Sequence, residues 1–156
     1  MHADVTEESA EQAVAKLTHQ GVDGVLTMTA DPAAAETVGR WFAAEARDHR
    51  IDVVVIWDEP QSGVLAHVVA RELGCPIVRV LGTEGLVELL DAPPRDARGL
   101  LIAEPAAAVN STDALIGVAD RAGVTPVAVA AVGADRKRDE TAVALPVIAL
   151  GSGKTR

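Results

Sequence analysis

Short apolar runs alternate along this chain with longer segments whose apolar residues recur every three or four positions. The first such segment follows Thr6, a residue type that caps helix N-termini, with Glu7 and Glu8 set favourably against the helix dipole. Ala10, Ala13, Val14 and Leu17 then fall on one helical face, and Gly21 ends the segment. A short strand is expected over 24–29. Asp31-Pro32 marks the next helix: Asp31 caps it, and Pro32 at the first helical position gives up an amide that has no partner there. That helix is expected to reach His49 and to bury Ala35, Val38, Phe42 and Ala46.

The run 51–57 is rich in valine and apolar on both faces, the pattern of a central strand in a parallel sheet. A polar turn over 58–62 leads into a helix over 63–73, stopped by Gly74. Further strands are expected at 76–81, 99–103 and 126–132. The segment 145–150 suits an edge strand, because Pro146 lacks the amide that a central position needs. Residues 82–90 fit either a short strand or a turn, 92–96 form a loop, and a helix is expected over 111–122 before Gly123. Strand, helix and strand thus alternate three times with short loops. This predicts one α/β domain over residues 1–156, with a doubly wound, mostly parallel sheet and helices on both faces. Ligands of such sheets bind outside the carboxyl ends of the strands, which directs attention to the loops 58–62 and 104–110.

Composition narrows the function classes. The apolar share, 49%, comes mainly from small aliphatic residues, and Trp41, Phe42 and Trp57 are the only aromatics. Such side chains suit thin, close-packed α/β layers. The net charge is −9, so the basic footprint that binds nucleic acid is missing. Arg136, Lys137 and Arg138 lie between acids and read as a solvated loop. Cys75 is the sole cysteine, which rules out an intrachain disulfide and reads as a small buried hydrophobe. The first fifteen residues are acidic where a secretory signal would be basic and then apolar, and no apolar run approaches the roughly 18 residues of a membrane span. A cytoplasmic protein with no membrane partner is expected.

Several motif fragments fail on inspection. Gly151–Thr155 looks like the end of a phosphate-binding P-loop, but Ile148 stands where its first glycine belongs. No dinucleotide fingerprint follows any strand, and Ser62 lacks the preceding glycine of a nucleophile elbow. His2, His19, His49 and His67 share no metal-ligand spacing.

The segment from Gly99 to Thr112 has a more informative shape: an apolar strand, Glu104, a loop of small residues ending at Val109-Asn110, then Ser111-Thr112 opening a helix. Upstream, the run 52–56 is followed by Ser62-Gly63 and an alanine-rich helix ending in Leu73-Gly74-Cys75-Pro76. Together these resemble the type I phosphoribosyltransferases over residues 24–135, and the Asp31-Pro32 helix and the Glu-first acidic position at Glu104 are most similar to the orotate branch. The resemblance implies that Glu104 holds ribose hydroxyls and that Asn110, Ser111 and Thr112 cradle a 5′-phosphate at a helix N-terminus. Asp58, Glu59, Ser62 and Gly63 would correspond to the pyrophosphate loop. It further implies phosphoribosyl pyrophosphate or a nucleotide as ligand, Mg2+ if the protein is active, and pairing as a homodimer.

Departures from the family pattern are specific. Pro105 replaces the second acid of the ribose-binding pair, and Val109-Asn110 replaces Thr-Gly. Where the family carries a mobile basic loop, the span 81–99 offers only Arg95 and Arg98. No residue beyond Glu104 is a catalytic candidate. The expected function is a phosphoribosyltransferase-like domain with eroded catalytic motifs that binds a nucleotide or phosphorylated ribose. Two alternatives stay open: an active transferase, orotate-type or related, with a nonstandard site, and a non-enzymatic protein-interaction domain.

Overall fold

In the computed structural model, residues 4–21, 24–103, 112–133 and 145–151 are described. Helix α1 (Glu7–His19) starts as its sequence requires: the Thr6 side chain accepts from the Ser9 amide at 3.1 Å. Its residues Ala10, Ala13, Val14 and Leu17 are all buried. Helix α2 (Pro32–Ala46) is capped by Asp31, whose Oδ1 accepts from the Ala34 amide at 3.0 Å. The other carboxylate oxygen of Asp31 pairs with Lys16 of α1 at 2.7 Å. This ammonium and the Ala34 amide hold the Asp31 carboxyl below its usual range. A 3-10 turn (Arg47–His49) completes α2, so the apolar periodicity and the cap both locate this helix correctly.

Strand β1 (Val53–Trp57) leads into helix α3 (Pro60–Leu73), and β2 (Ile77–Thr83) follows. Strands β3 (Leu86–Leu89) and β4 (Arg98–Ala103), helix α4 (Thr112–Arg121), and strands β5 (Thr125–Val132) and β6 (Val147–Leu150) complete the chain. The six strands form one sheet in the order β3-β2-β1-β4-β5-β6. Every pairing is parallel except β2 with β3. The three strands expected at the centre, β1, β4 and β5, are neighbours there, and β6 takes the edge next to β5 as Pro146 implied.

Alternation along β1 divides the core. Val54 and Ile56 face α1, α2 and α3, while Val53, Val55 and Trp57 face the layer of α4. All five are buried, which explains a strand with no polar face. Helices therefore cover both faces, three on one side and one on the other.

Two local expectations are corrected and one open reading is settled. Residues 24–29 form no strand; a 3-10 turn (Met28–Ala30) stands there instead. The amide of Thr27 donates to Leu17 of α1 and that of Met28 to the Gln61 side chain of α3, so these amides are satisfied by helices rather than by a ladder. Helix α3 begins at Pro60, earlier than expected, because proline is preorganised for the first helical position. The ambiguous stretch 82–90 is a hairpin: Glu84 (φ 46°) and Gly85 (φ 83°) form a two-residue turn with both centres left-handed, joining β2 to β3.

Candidate functional site

Strand polarity brings the carboxyl ends of β1, β4 and β5 to one edge of the sheet. A cavity of about 440 Å³ lies there, on the side of the three helices. Its floor is Ile102 and Ala103 of β4 with Val132 and Gly133 after β5. Val14 and Thr18 of α1, with Gln61, Ser62 and Leu65 of α3, make its walls. Residues 24–26 and Met28 close it from outside. The volume falls in the range of small-molecule sites, roughly 300–1,000 Å³.

The four residues expected to form a pyrophosphate loop are placed apart. Asp58 and Glu59 make up the whole connection between β1 and α3, and both are exposed. The Asp58 amide extends the ladder by donating to Val80 at 2.8 Å, and its carboxylate lies 3.7 Å from Arg79 Nη1. Arg79 is held mainly by Asp91, through Nε at 2.9 Å and Nη2 at 3.1 Å. That bidentate pairing keeps the Asp91 carboxyl below its usual range and raises the guanidinium. Ser62 and Gly63 lie inside the first turns of α3 rather than in a loop. Ser62 is only 2% exposed and turns to the cavity, whereas Gly63 lines an outer groove between α2 and α3. Pro60 starts α3 early, so Ser62 and Gly63 are helical while Asp58 and Glu59 form the turn before them.

Thr112 is the first residue of α4. Glu104, Asn110 and Ser111 lie outside the described residues. Among the described residues, no group of three His, Cys, Asp or Glu side chains could hold a metal ion. Among the described residues at this edge, the acidic pair Asp58 and Glu59 has Arg79 beside it, so these residues do not by themselves fit a Mg2+ site.

Among the described residues, the two arginines of the span 81–99 lie at the end of the sheet remote from the cavity. Arg98 is the first residue of β4, at the end remote from the cavity. Its guanidinium donates to the His49 carbonyl at 3.0 and 2.9 Å, and its amide to Asp52 Oδ2 at 2.9 Å. Arg95 is exposed in the loop that precedes β4, at the same remote end. The hairpin turn that comes after β2 carries Glu84 and no cation.

Sequence reasoning missed Gln61 and the apolar wall of the cavity. Gln61 Oε1 accepts from the Met28 amide and so ties α3 to the segment that closes the cavity. A backbone amide only donates, so the oxygen faces Met28 and the carboxamide nitrogen keeps its own N–H donors. Its position one residue after Pro60, in the segment 58–62 beyond a central strand, was the available signal. Val14 and Leu65 looked like ordinary core positions.

No protein-family model and no curated protein matches the sequence. The fold has clear counterparts among solved structures. One is adenine phosphoribosyltransferase from Saccharomyces cerevisiae, complexed with an imino-altritol bisphosphate and adenine. It shares 16% identity, has a TM-score of 0.72, and the match covers 92% of this chain and 99% of that one. Another is orotate phosphoribosyltransferase from Mycobacterium tuberculosis H37Rv in complex with 5-phospho-α-D-ribosyl 1-diphosphate, at 18% identity and TM-score 0.64, covering 93% and 96% of the two chains. A third, adenine phosphoribosyltransferase from Trypanosoma brucei with AMP, pyrophosphate and ribose-5-phosphate, gives 17% identity and TM-score 0.62, over 80% and 66%. Such low identities speak for the backbone alone, and on that evidence the chain has the type I phosphoribosyltransferase fold.

Proposed function

We propose that this chain binds the phosphoribosyl part of a nucleotide or of a phosphorylated ribose at the carboxyl edge of its sheet, and that it does not transfer it. The observation that carries the reading is the placement of the cations. Transfer expels pyrophosphate, whose charge needs basic groups or a metal at the reacting end. Arg95 and Arg98, the only basic residues of the span 81–99, sit at the opposite end of β4, and Arg98 is engaged there with His49 and Asp52. Arg79, which lies near Asp58, is held by Asp91. Pro105 stands in place of the second ribose-binding acid and supplies neither carboxylate nor amide.

Binding asks for less. The N-terminus of α4 presents a favourable dipole end to a phosphate, with Asn110, Ser111 and Thr112 in the positions that the resemblance assigns to the cradle and Glu104 to the ribose hydroxyls. Solved proteins of this fold carry such ligands: AMP, pyrophosphate and ribose-5-phosphate in one, 5-phospho-α-D-ribosyl 1-diphosphate in another. In the cytoplasm such a domain would act as a nucleotide-responsive partner, with homodimer pairing as the expected assembly.

Calorimetry with phosphoribosyl pyrophosphate, ribose 5-phosphate and nucleoside monophosphates, with and without magnesium, tests the reading. Binding without turnover of orotate or purine bases is expected. Magnesium-dependent turnover that Glu104→Ala abolishes would overturn it in favour of an active transferase. A second reading, a protein-interaction domain, draws on the hairpin, where Leu81, Leu86, Val87 and Leu90 are exposed. Complete absence of small-molecule binding would favour that reading.

A further inference from the structure

We infer that the cavity beside the proposed phosphoribosyl site takes a neutral nucleobase and rejects a carboxylated one. The inference rests on the phosphoribosyl reading and adds the class of base. The proteins that share this fold include enzymes named for adenine and for orotate, and these bases differ in charge: adenine is neutral, whereas orotate carries a ring carboxylate. The backbone does not distinguish them, so the lining must.

The lining described here holds no charged side chain. Val14, Leu26, Met28, Leu65, Ile102 and Val132 give it an apolar surface on which a flat ring can lie. Its side-chain polar groups are Thr18, Gln61 and Ser62, all neutral. Thr18 donates its hydroxyl to the Val14 carbonyl at 2.9 Å. Gln61 commits its oxygen to the Met28 amide, which leaves the carboxamide N–H groups as donors for a ring nitrogen or carbonyl. A neutral base thus trades water for apolar contact and a hydrogen bond to a neutral donor. A carboxylate entering the same space loses its hydration and meets no cation among the described wall residues. Arg79, on β2, is paired with Asp91. Burial of an unpaired charge is among the most costly events in a protein interior, and the net charge of −9 adds no attraction for a further anion.

Uridine and orotidine 5′-monophosphates differ only in the ring carboxylate, and ribose 5-phosphate lacks the base. Titrating the full chain with all three by calorimetry separates the contributions. The uridine nucleotide should bind at least tenfold more tightly than the orotidine nucleotide, and the gap should persist at high salt, where long-range repulsion is screened. Leu26→Trp, which fills the cavity from its half-buried outer side, should reduce uridine nucleotide binding to the level of ribose 5-phosphate and leave ribose 5-phosphate unchanged. If Leu26→Trp misfolds by circular dichroism, Val25→Trp makes the same test from a side chain already 53% exposed. Equal affinity for the two nucleotides, with ribose 5-phosphate bound, overturns the inference and leaves the phosphoribosyl reading standing. No binding of any of the three overturns the reading and the inference with it.

Discussion

The two ends of the sheet are built from the same strands and solve opposite problems. At the amino end, polar groups answer one another: Asp52 receives the Arg98 amide, its own amide donates to the Arg98 carbonyl at 2.8 Å, and the Arg98 guanidinium closes on His49. At the carboxyl end the strands stop at Trp57, Ala103 and Val132, and the space beyond β4 and β5 is a cavity whose described wall residues are neutral. The first arrangement holds the sheet together and leaves little for a ligand. The second gives up contacts and keeps room. The contrast teaches where to look for function in a fold whose chemistry cannot be read from motifs: at the end where side chains have not been spent on one another.

Mutation can break that comparison or sharpen it. Leu100, fully buried in mid-sheet, should cost about 3–5 kcal/mol when changed to alanine, whereas Leu65, buried but lining the cavity, should cost about 2–3 because one of its sides borders the cavity rather than packed side chains. Urea unfolding measures both, and equal losses would show that the cavity wall is packed as tightly as the core. Gln61→Ala leaves the Met28 amide without its partner and should cost about 1–3 kcal/mol. It should also lower nucleotide affinity severalfold by calorimetry, which a purely structural role for Gln61 would not do. Asp52→Ala at the opposite end should cost about 1 kcal/mol while ligand affinity per folded molecule stays unchanged. A fall in affinity there would erase the distinction between the ends.

The smallest effect expected is on acid stability. Asp31 and Asp91 have carboxyls depressed in the folded state, chiefly by the hydrogen bonds from Lys16 and Arg79. Their contribution is fully present above the unfolded carboxyl value of about 4 and is lost as pH falls through the lower folded values. Both pairs are solvent-screened, so Asp91→Asn should flatten the acid limb of a stability–pH curve only slightly.

Much of the fold was legible because local and global signals agree. Thr6 and Asp31 cap the helices that their patterns announce, and the valine-rich run to Trp57 could only be central. The segment 24–29 misled because Val25, Leu26 and Met28 imitate a strand, and nothing local reveals that their neighbours' amides are taken by Leu17 and Gln61. The hairpin was left open because its Glu84-Gly85 turn lacks the usual Asn or Asp. The site was less legible still. A binding wall made of valine, leucine and isoleucine has the same sequence signature as a core, and only the arrangement in space separates Leu65 from Leu100.

The hairpin between β2 and β3 also bears on how the chain reaches this state. It is the sheet's only antiparallel pair among the described residues, and Thr83 meets Leu86 across two residues. Hairpins of this kind close in about 1–10 μs. The sheet's centre must wait for a far slower search, because Val54 has to find Leu100 after α3, β2, β3 and their loops have been laid down between them. The hairpin is therefore suited to form early and to offer β2, on its free edge, as the template on which β1 registers, so that the antiparallel appendage at the rim would set the order in which the parallel centre is assembled.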